Sequence, residues 1–455
     1  MHSVTCIFIK VKSIMLIVNA LLMSVYTHGA YAQATADKEK YYNFSGFVRS
    51  GLDSSALDYA HIFIEEKAIG TVSNSAGEFQ LKIPASLLPV VVTISSLGYE
   101  TKEVTVTDTP LLNRSFLLKP AIYMLESVTI TAKKNDSSVY IFNRALKAIR
   151  FNYPRKNHLL EGFYRSTSIR DTLYTRIVEA AIRIQDGNYM RDPYSPGALE
   201  MNRARIDIVE LRKTEDFRDR DWLVKVGERM FGESNELYEI LATNWISSLN
   251  SNSKENHIMT KQFMLHMEME LLGSVRWENE MAYKILATYH QEKALFWYDV
   301  VLYVNKKDFA IVRIEYVNGF NDNTENLHPN LKNIGAQWLI DGKYLYRTEV
   351  NYRRVNFKYY PVFIRKTGAD RDASSHAEID GKGVRQYSDN IFLLTNVYED
   401  DFARVKWKDT EARDQNLSHY DKPNNEAFWE NYNTILLNPL GRSYEDLKQK
   451  LVKVK

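Results

Sequence analysis

Cysteine is almost absent. The one example in 455 residues, Cys6, lies ahead of the first apolar run. That run, Ile14 to Tyr26, is flanked by Lys10 and Lys12 and followed by Ala30-Tyr31-Ala32, an A-x-A cleavage pattern, so residues 1–32 read as a secretory signal. A chain cleaved there has no disulfide, no thiolate zinc site and no thiol nucleophile. Cys6 also precedes the apolar run, the wrong place for an acylated lipoprotein cysteine. No run reaches the ~20 residues of a membrane-spanning helix. Charge of one sign is missing as well: 59 basic residues face 57 acidic ones, a net of +2, which gives no basic surface for nucleic acid.

What is present is aromatic and β-prone. There are 29 Tyr, 20 Phe and 7 Trp within a 45% hydrophobic composition, which favours strands. The length implies two domains. After a polar leader (33–41), residues 42–131 carry short strands at close spacing, about seven in all, as in a small sandwich. Gly77 follows Asn74-Ser75-Ala76, where a tight turn calls for positive φ. Phe79, Leu81 and Ile83 then alternate with Glu78, Gln80 and Lys82, one face apolar and the other wet, and Pro84 closes the strand. In AHIFIEE, Ile62 and Ile64 alternate with His61 and Phe63. Val90 to Ser95 reads as a strand buried on both faces.

The ordered set Gly46-x-Val48, Ala60-x-Ile62-x-Ile64, Gly70-Thr71, Gly77-x-Phe79-x-Leu81, Pro84, Leu97-Gly98-Tyr99-Glu100 and Leu125-x-x-Val128-x-Ile130-Thr131-Ala132 resembles the carboxypeptidase-like regulatory domain. The resemblance implies a transthyretin-like sandwich, a non-catalytic companion abundant in exported proteins of Bacteroidetes. Ala56-Leu57 stands for the usual Pro-Leu, and Asn74 for an acidic turn residue, which weakens any calcium site there. The L-x-x-V-x-I-T-A ending also resembles the link to the plug of TonB-dependent receptors, but too little chain follows for a ~22-stranded barrel.

A linker, AKKNDSS (132–138), precedes a β-rich second domain over 139–455. Helices are expected near 139–152, with Ile141, Ala145, Leu146, Ala148 and Ile149 on one face, and near 235–249, 425–432 and 444–452. Asp171-Thr172 reads as a two-residue hairpin turn. KQFMLHMEMELL alternates as a strand, with Phe263, Leu265, Met267, Met269 and Leu271 inward and His266, Glu268 and Glu270 outward. Six further aromatic strands read as an antiparallel meander. The stretch Ala145 to Tyr164 and the pair YVNKKDFAIVRIEY and FKYYPVFIRK resemble the region after the regulatory domain in a Bacteroidetes family of unknown function, and strands of this type resemble those of the lipoprotein-carrier half-barrel, a curved sheet wrapped on a helix.

Chemistry was sought in the histidines at 61, 158, 257, 266, 290, 328, 376 and 419. No H-E-x-x-H occurs, and His266 with Glu268, or His376 with Glu378, read better as exposed polar pairs than as metal ligands. There is no G-x-S-x-G, P-loop or G-x-G-x-x-G. Asp299 and Glu315 are a candidate acid pair, yet alternation puts such groups on solvated sheet faces. Phe296-Trp297-Tyr298 and Tyr359-Tyr360 read as core more than as a sugar or lipid platform. The expectation is a mainly β, exported, non-enzymatic protein of the periplasm or outer membrane, with no catalytic, cofactor or metal residues. Its partner would be an outer-membrane protein, a glycan or a lipid, with peripheral membrane association. The alternatives are an envelope hydrolase of peptide or glycan with an acidic site, or an integral outer-membrane barrel.

Overall fold

The computed structural model describes residues 40–109, 114–121, 134–170, 173–187, 189–190, 204–217, 237–238, 244–251, 259–291, 296–320, 346–369, 386–406, 410, 416–420 and 425–440. The signal segment, the strand expected at Val128–Thr131, the helix expected at 444–452, and His257, His328 and His376–Glu378 lie outside them.

The first unit is a sandwich of seven strands. β1 (Tyr41–Ser50), β4 (Glu78–Pro84) and β7 (Arg114–Leu118) form one sheet in the order β4-β1-β7, with β1 and β7 parallel. β2 (His61–Phe63), β3 (Gly70–Val72), β5 (Val90–Ser95) and β6 (Lys102–Val106) form the other, in the order β3-β2-β5-β6. Phe44, Val48, Ile62, Phe79, Leu81, Ile83, Val92 and Ile94 interdigitate between them, with Phe44, Phe79 and Phe116 edge-on or tilted at 5.3–5.8 Å. Gly77 has φ +78°, and a Cβ there would meet the Val48 carbonyl at 2.4 Å, so glycine is required.

The second unit is one open antiparallel sheet of ten strands. β8 (His158–Arg170), β9 (Leu173–Asp186) and β10 (Arg205–Lys213) form one meander. β11 (Glu268–Trp277), β12 (Glu280–Tyr289), β13 (Phe296–Asn305), β14 (Ile311–Phe320), β15 (Tyr346–Val355), β16 (Lys358–Ala369) and β17 (Gln386–Tyr398) form another. Pairing of β8 with β17 fuses them, leaving β10 and β11 as the edges. β8 and β9 pair up to Arg170↔Leu173, the two-residue connection read from sequence.

One face of this sheet is apolar. Helix α1 (Lys134–Asn152) lies on it through Ile141, Phe142, Ala145 and Ile149. It starts within the stretch read as a linker. Trp245, Ile246, Leu249 and Met264, from the described residues between β10 and β11, pack in the same core. No continuous helix runs through 235–249: Asn244 is non-helical (φ −75°, ψ 89°) and its side chain caps a new helix, α2 (Trp245–Leu249), at Ser247 N. The strand expected from Lys261 is also corrected. Thr260 accepts from Phe263 N and starts α3 (Lys261–Leu265), so Leu265 is exposed and His266 ends a helix instead of sharing a strand face with Glu268. Met267 and Met269 do point inward. The helix expected at 425–432 is one turn, α4 (Glu426–Trp429), followed by chain without helix or strand to residue 440. Among the described residues no helix is long and apolar enough to cross a membrane.

Candidate functional site

The opposite face of the ten-stranded sheet carries charge. Alternation puts Arg313 and Glu315 of β14, Arg347, Glu349 and Asn351 of β15, Arg365 of β16, Asp389 of β17, Arg165 of β8 and Glu179 of β9 on it. These positions read as a solvated face, but the sandwich covers the β14–β16 end and residues 429–438 cover the β8–β9 end. Apart from Arg347, which stays exposed, the charges are therefore buried or half-buried in pairs. Glu179 accepts from Arg165 Nε (2.7 Å) and Arg212 Nε (2.5 Å); the two guanidiniums overcome its desolvation and hold its carboxyl below the usual range. Arg365 grips Asp389 with two bonds of 2.9 and 3.0 Å. Arg313 donates to Glu315 (2.8 Å) and Glu349 (2.6 Å).

That chain of charge continues into the sandwich. Asn351 donates to Glu349 (2.8 Å) and to His61 Nε2 (3.0 Å) on β2. Burial, reinforced by Arg353 and Arg313, lowers the His61 pKa to about 3, so the ring is neutral and accepts. Arg353 lies 3.8 Å over the Phe63 ring, and Arg365 4.0 Å over Tyr59. His61 and Phe63 thus face a second layer of protein while Ile62 and Ile64 fill the sandwich.

A segment from 429 to 438 ties the two units together. Asn433 accepts from Lys82 N (2.8 Å) and donates to Lys82 O (3.0 Å), imitating a ladder rung along edge strand β4. The Lys82 ammonium, expected on a wet face, is buried against the carbonyls of Trp429 (2.8 Å) and Tyr432 (3.0 Å), and burial lowers its pKa to about 8. Thr71 donates to Thr434 O (3.2 Å) and Asn74 Nδ2 to Leu437 O (2.9 Å). The Asn74 side chain also closes its own turn by accepting from Ala76 N and Glu78 N, both at 3.0 Å. An aspartate could close that turn but could not donate to Leu437.

Between the layers a cavity of about 490 Å³ remains. The sandwich supplies Asp58, Tyr59, His61, Ser95 and Ser96; the sheet supplies Trp277, Arg313, Arg347, Glu349 and Thr367. Glu278, at the β11–β12 turn with φ +51°, lines this cavity and a neighbouring one of about 200 Å³. Its carbonyl accepts from Thr101 of the sandwich (2.8 Å), while its Oε1 is sealed from solvent with no partner. Burial pushes the carboxyl pKa up to about 7 against the pull of Arg353.

The residues weighed from sequence are mostly elsewhere. Asp299 pairs with His290 (2.8 Å), whereas Glu315 is clamped by Arg313 and Tyr303 (3.0 Å). His158 is buried beside Tyr189 and Tyr360. Tyr298 packs on Tyr316, and Tyr359 and Tyr360 are core. Among the described residues no group of three His, Cys, Asp or Glu is placed to hold a metal ion. The lining residues Tyr59, Trp277, Glu278 and Arg347 were not singled out beforehand; cross-strand Arg/Glu alternation on β14 and β15 was the available signal.

Residues 44–130 match the CarboxypepD_reg-like domain family, so the sandwich is a carboxypeptidase-regulatory-like domain. No curated protein matches the chain. Among solved structures, a LolA superfamily protein from Nitrosomonas europaea is 12% identical, covering 58% of this chain and 94% of its own, with a TM-score of 0.23. A DUF1329 family protein from Desulfovibrio piger is 7% identical, covering 59% and 95%, with a TM-score of 0.25. At TM-scores this low neither likeness bears on what this chain does.

Proposed function

We propose that the protein is an exported, non-enzymatic component of the cell envelope that binds a glycan-type partner at the junction between its regulatory-like sandwich and its ten-stranded sheet. The observation that carries this reading is the 490 Å³ cavity lined from both units, within the ~300–1,000 Å³ range of small-ligand sites. Its lining is polar hydroxyls, carboxyls and guanidiniums beside Tyr59 and Trp277, which suits a polyhydroxylated ring better than a lipid tail. Each arginine there already faces a carboxylate, so the cavity offers no surplus positive charge for an anion. Export rests on the signal-like residues 1–32.

Titration with envelope oligosaccharides followed by calorimetry tests the site. Saturable binding lost in Ser96→Trp, which fills the cavity from its half-buried wall, is the expected result; binding unaffected by that substitution would overturn it. Fractionation of cells making the tagged chain, with a carbonate wash, tests the location: recovery in the cytoplasm would sink the envelope assignment.

A hydrolase is the second reading, favoured by one observation: Glu278, with its carboxyl near pKa 7, shares the cavity with Asp58 and Glu349, as a general acid beside other carboxyls would. Cleavage of a glycan or peptide by the wild type and its loss in Glu278→Gln would establish it over the binding reading.

A further inference from the structure

A second surface lies away from the junction, at the solvent side of α1. From Ser137 to Leu160 the chain has no acidic residue and five cations: Arg144, Lys147, Arg150, Arg155 and Lys156. Tyr140, Arg144, Lys147 and Phe151 recur at intervals of four, three and four, which sets them in one stripe of the helix, all exposed. Tyr140 is 58% exposed and Phe151 62%, unusual values for large aromatics on a helix whose other side is fully used for packing. Arg144 lies 4.6 Å over the Phe309 ring and Arg150 4.5 Å over Phe151, so the cations are held beside the rings.

Two sheet turns meet the end of this stripe. Asn152 donates to Asp308 O (3.0 Å) in the β13–β14 turn, which also carries Lys306 and Lys307; Lys307 and Lys156 make exposed pairs with Glu280 (3.7 Å) and Asp400 (3.4 Å), which leaves Arg144, Lys147 and Arg150 as the cations of the helix stripe. Lys358 donates to Phe151 O (2.5 Å), which brings the β15–β16 turn and its Phe357, 82% exposed, to the same end. The carboxylate beside Phe357, Glu66, only reaches its amide at 3.5 Å. Tyr140, Phe151 and Phe357 stand out into solvent, interleaved with lysine and arginine.

From this arrangement we infer that the α1 stripe and the Phe357 turn dock on an anionic phospholipid surface, the rings entering the headgroup layer and the cations pairing with lipid phosphates. The charge pattern selects that occupant. A neutral glycan has no reason to demand a stretch free of acids, whereas an anionic bilayer attracts each cation near its surface and its interface also takes the exposed rings that a purely acidic partner would not require. The stripe is a helix face of about 16 Å, enough to lie on a bilayer and not to enter it. The inference gives the envelope reading its membrane contact, and it uses none of the cavity residues.

The test is cosedimentation of the purified chain with vesicles of phosphatidylcholine alone or with 30% phosphatidylglycerol, at low and high salt. Binding to the anionic vesicles, weakened by salt, is expected, with at least a tenfold loss in Lys147→Glu/Arg150→Glu and a smaller loss in Phe151→Ser/Phe357→Ser. These side chains are exposed, so thermal melts of the variants should match the parent. Equal binding to both vesicle types, no binding, or binding untouched by the two double variants would each overturn the inference. Ser96→Trp should leave vesicle binding unchanged; a loss there would move the contact to the junction and overturn this surface, whereas loss of glycan binding alone leaves it standing.

Discussion

The two faces of the ten-stranded sheet rest on the same backbone but are sealed differently. Under α1 the seal is Phe142, Ile149, Ile285, Leu302 and Ile314, non-directional and tolerant of sliding. Under the sandwich and the 429–438 segment it is Arg212–Glu179–Arg165, Arg365–Asp389 and Glu315–Arg313–Glu349, and these bond only in one register. Such pairs add little net stability over apolar residues of the same shape but penalise any other arrangement. The apolar face holds the helix by packing, and the pairs on the charged face fix the register of its own strands; Asn351 to His61, Arg353 over Phe63 and Arg365 over Tyr59 carry the contact from there to the sandwich.

The largest effect is expected on the apolar face, where Phe142→Ala should cost about 3–5 kcal/mol in denaturant unfolding. On the charged face Glu179→Ala should cost about 3 kcal/mol, because it strands two guanidiniums. Replacing all three partners (Arg165→Met, Glu179→Leu, Arg212→Met) should restore most of that loss; if it does not, the ion pairs stabilise outright and the contrast fails.

Glu278→Gln sharpens the picture through pH. The native carboxyl holds its proton to about pH 7 and an unfolded one only to its ordinary 4.5, so the wild type loses stability as pH rises through that window. The variant should therefore match the wild type below 4.5, gain between 4.5 and 7, and level off above 7 at no more than about 3 kcal/mol. A pH-independent difference would show that burial does not set this group.

Asn74→Asp should cost about 1–2 kcal/mol, by removing the donor to Leu437 O and setting a carboxylate against that carbonyl. The smallest effect belongs to neither face. Asn356 and Phe357 both have positive φ (48° and 67°) in the two-residue turn between β15 and β16, so Phe357→Gly should raise stability by about 0.5–1 kcal/mol on thermal melting.

The sandwich was legible because its signals are local: Gly77 and the Phe79-Leu81-Ile83 alternation need only their neighbours. The meander was legible for the same reason. The charged face was misread because alternation distinguishes apolar from polar, and cannot tell water from another layer of polar protein. Glu315 and Lys82 both read as wet positions, yet each is covered. The start of α3 turned on one capping hydroxyl, Thr260, which competed with a clean strand pattern over 263–271. The cavity residues were hidden because Asp58 and Glu349, or Ser96 and Thr367, meet only through tertiary packing.

The segment that finishes the sandwich edge is encoded some 350 residues downstream of it: Lys82 pairs with Asn433 across a separation of 351 positions. Strand edges left unpaired invite the wrong partner. During synthesis the sandwich therefore waits with β3 and β4 uncovered until residues 429–438 have been made. Contacts this distant in sequence assemble slowly. Holding the chain unfolded until release would let both units and their tie form together, so the order of emergence matters to this protein as much as its final energy.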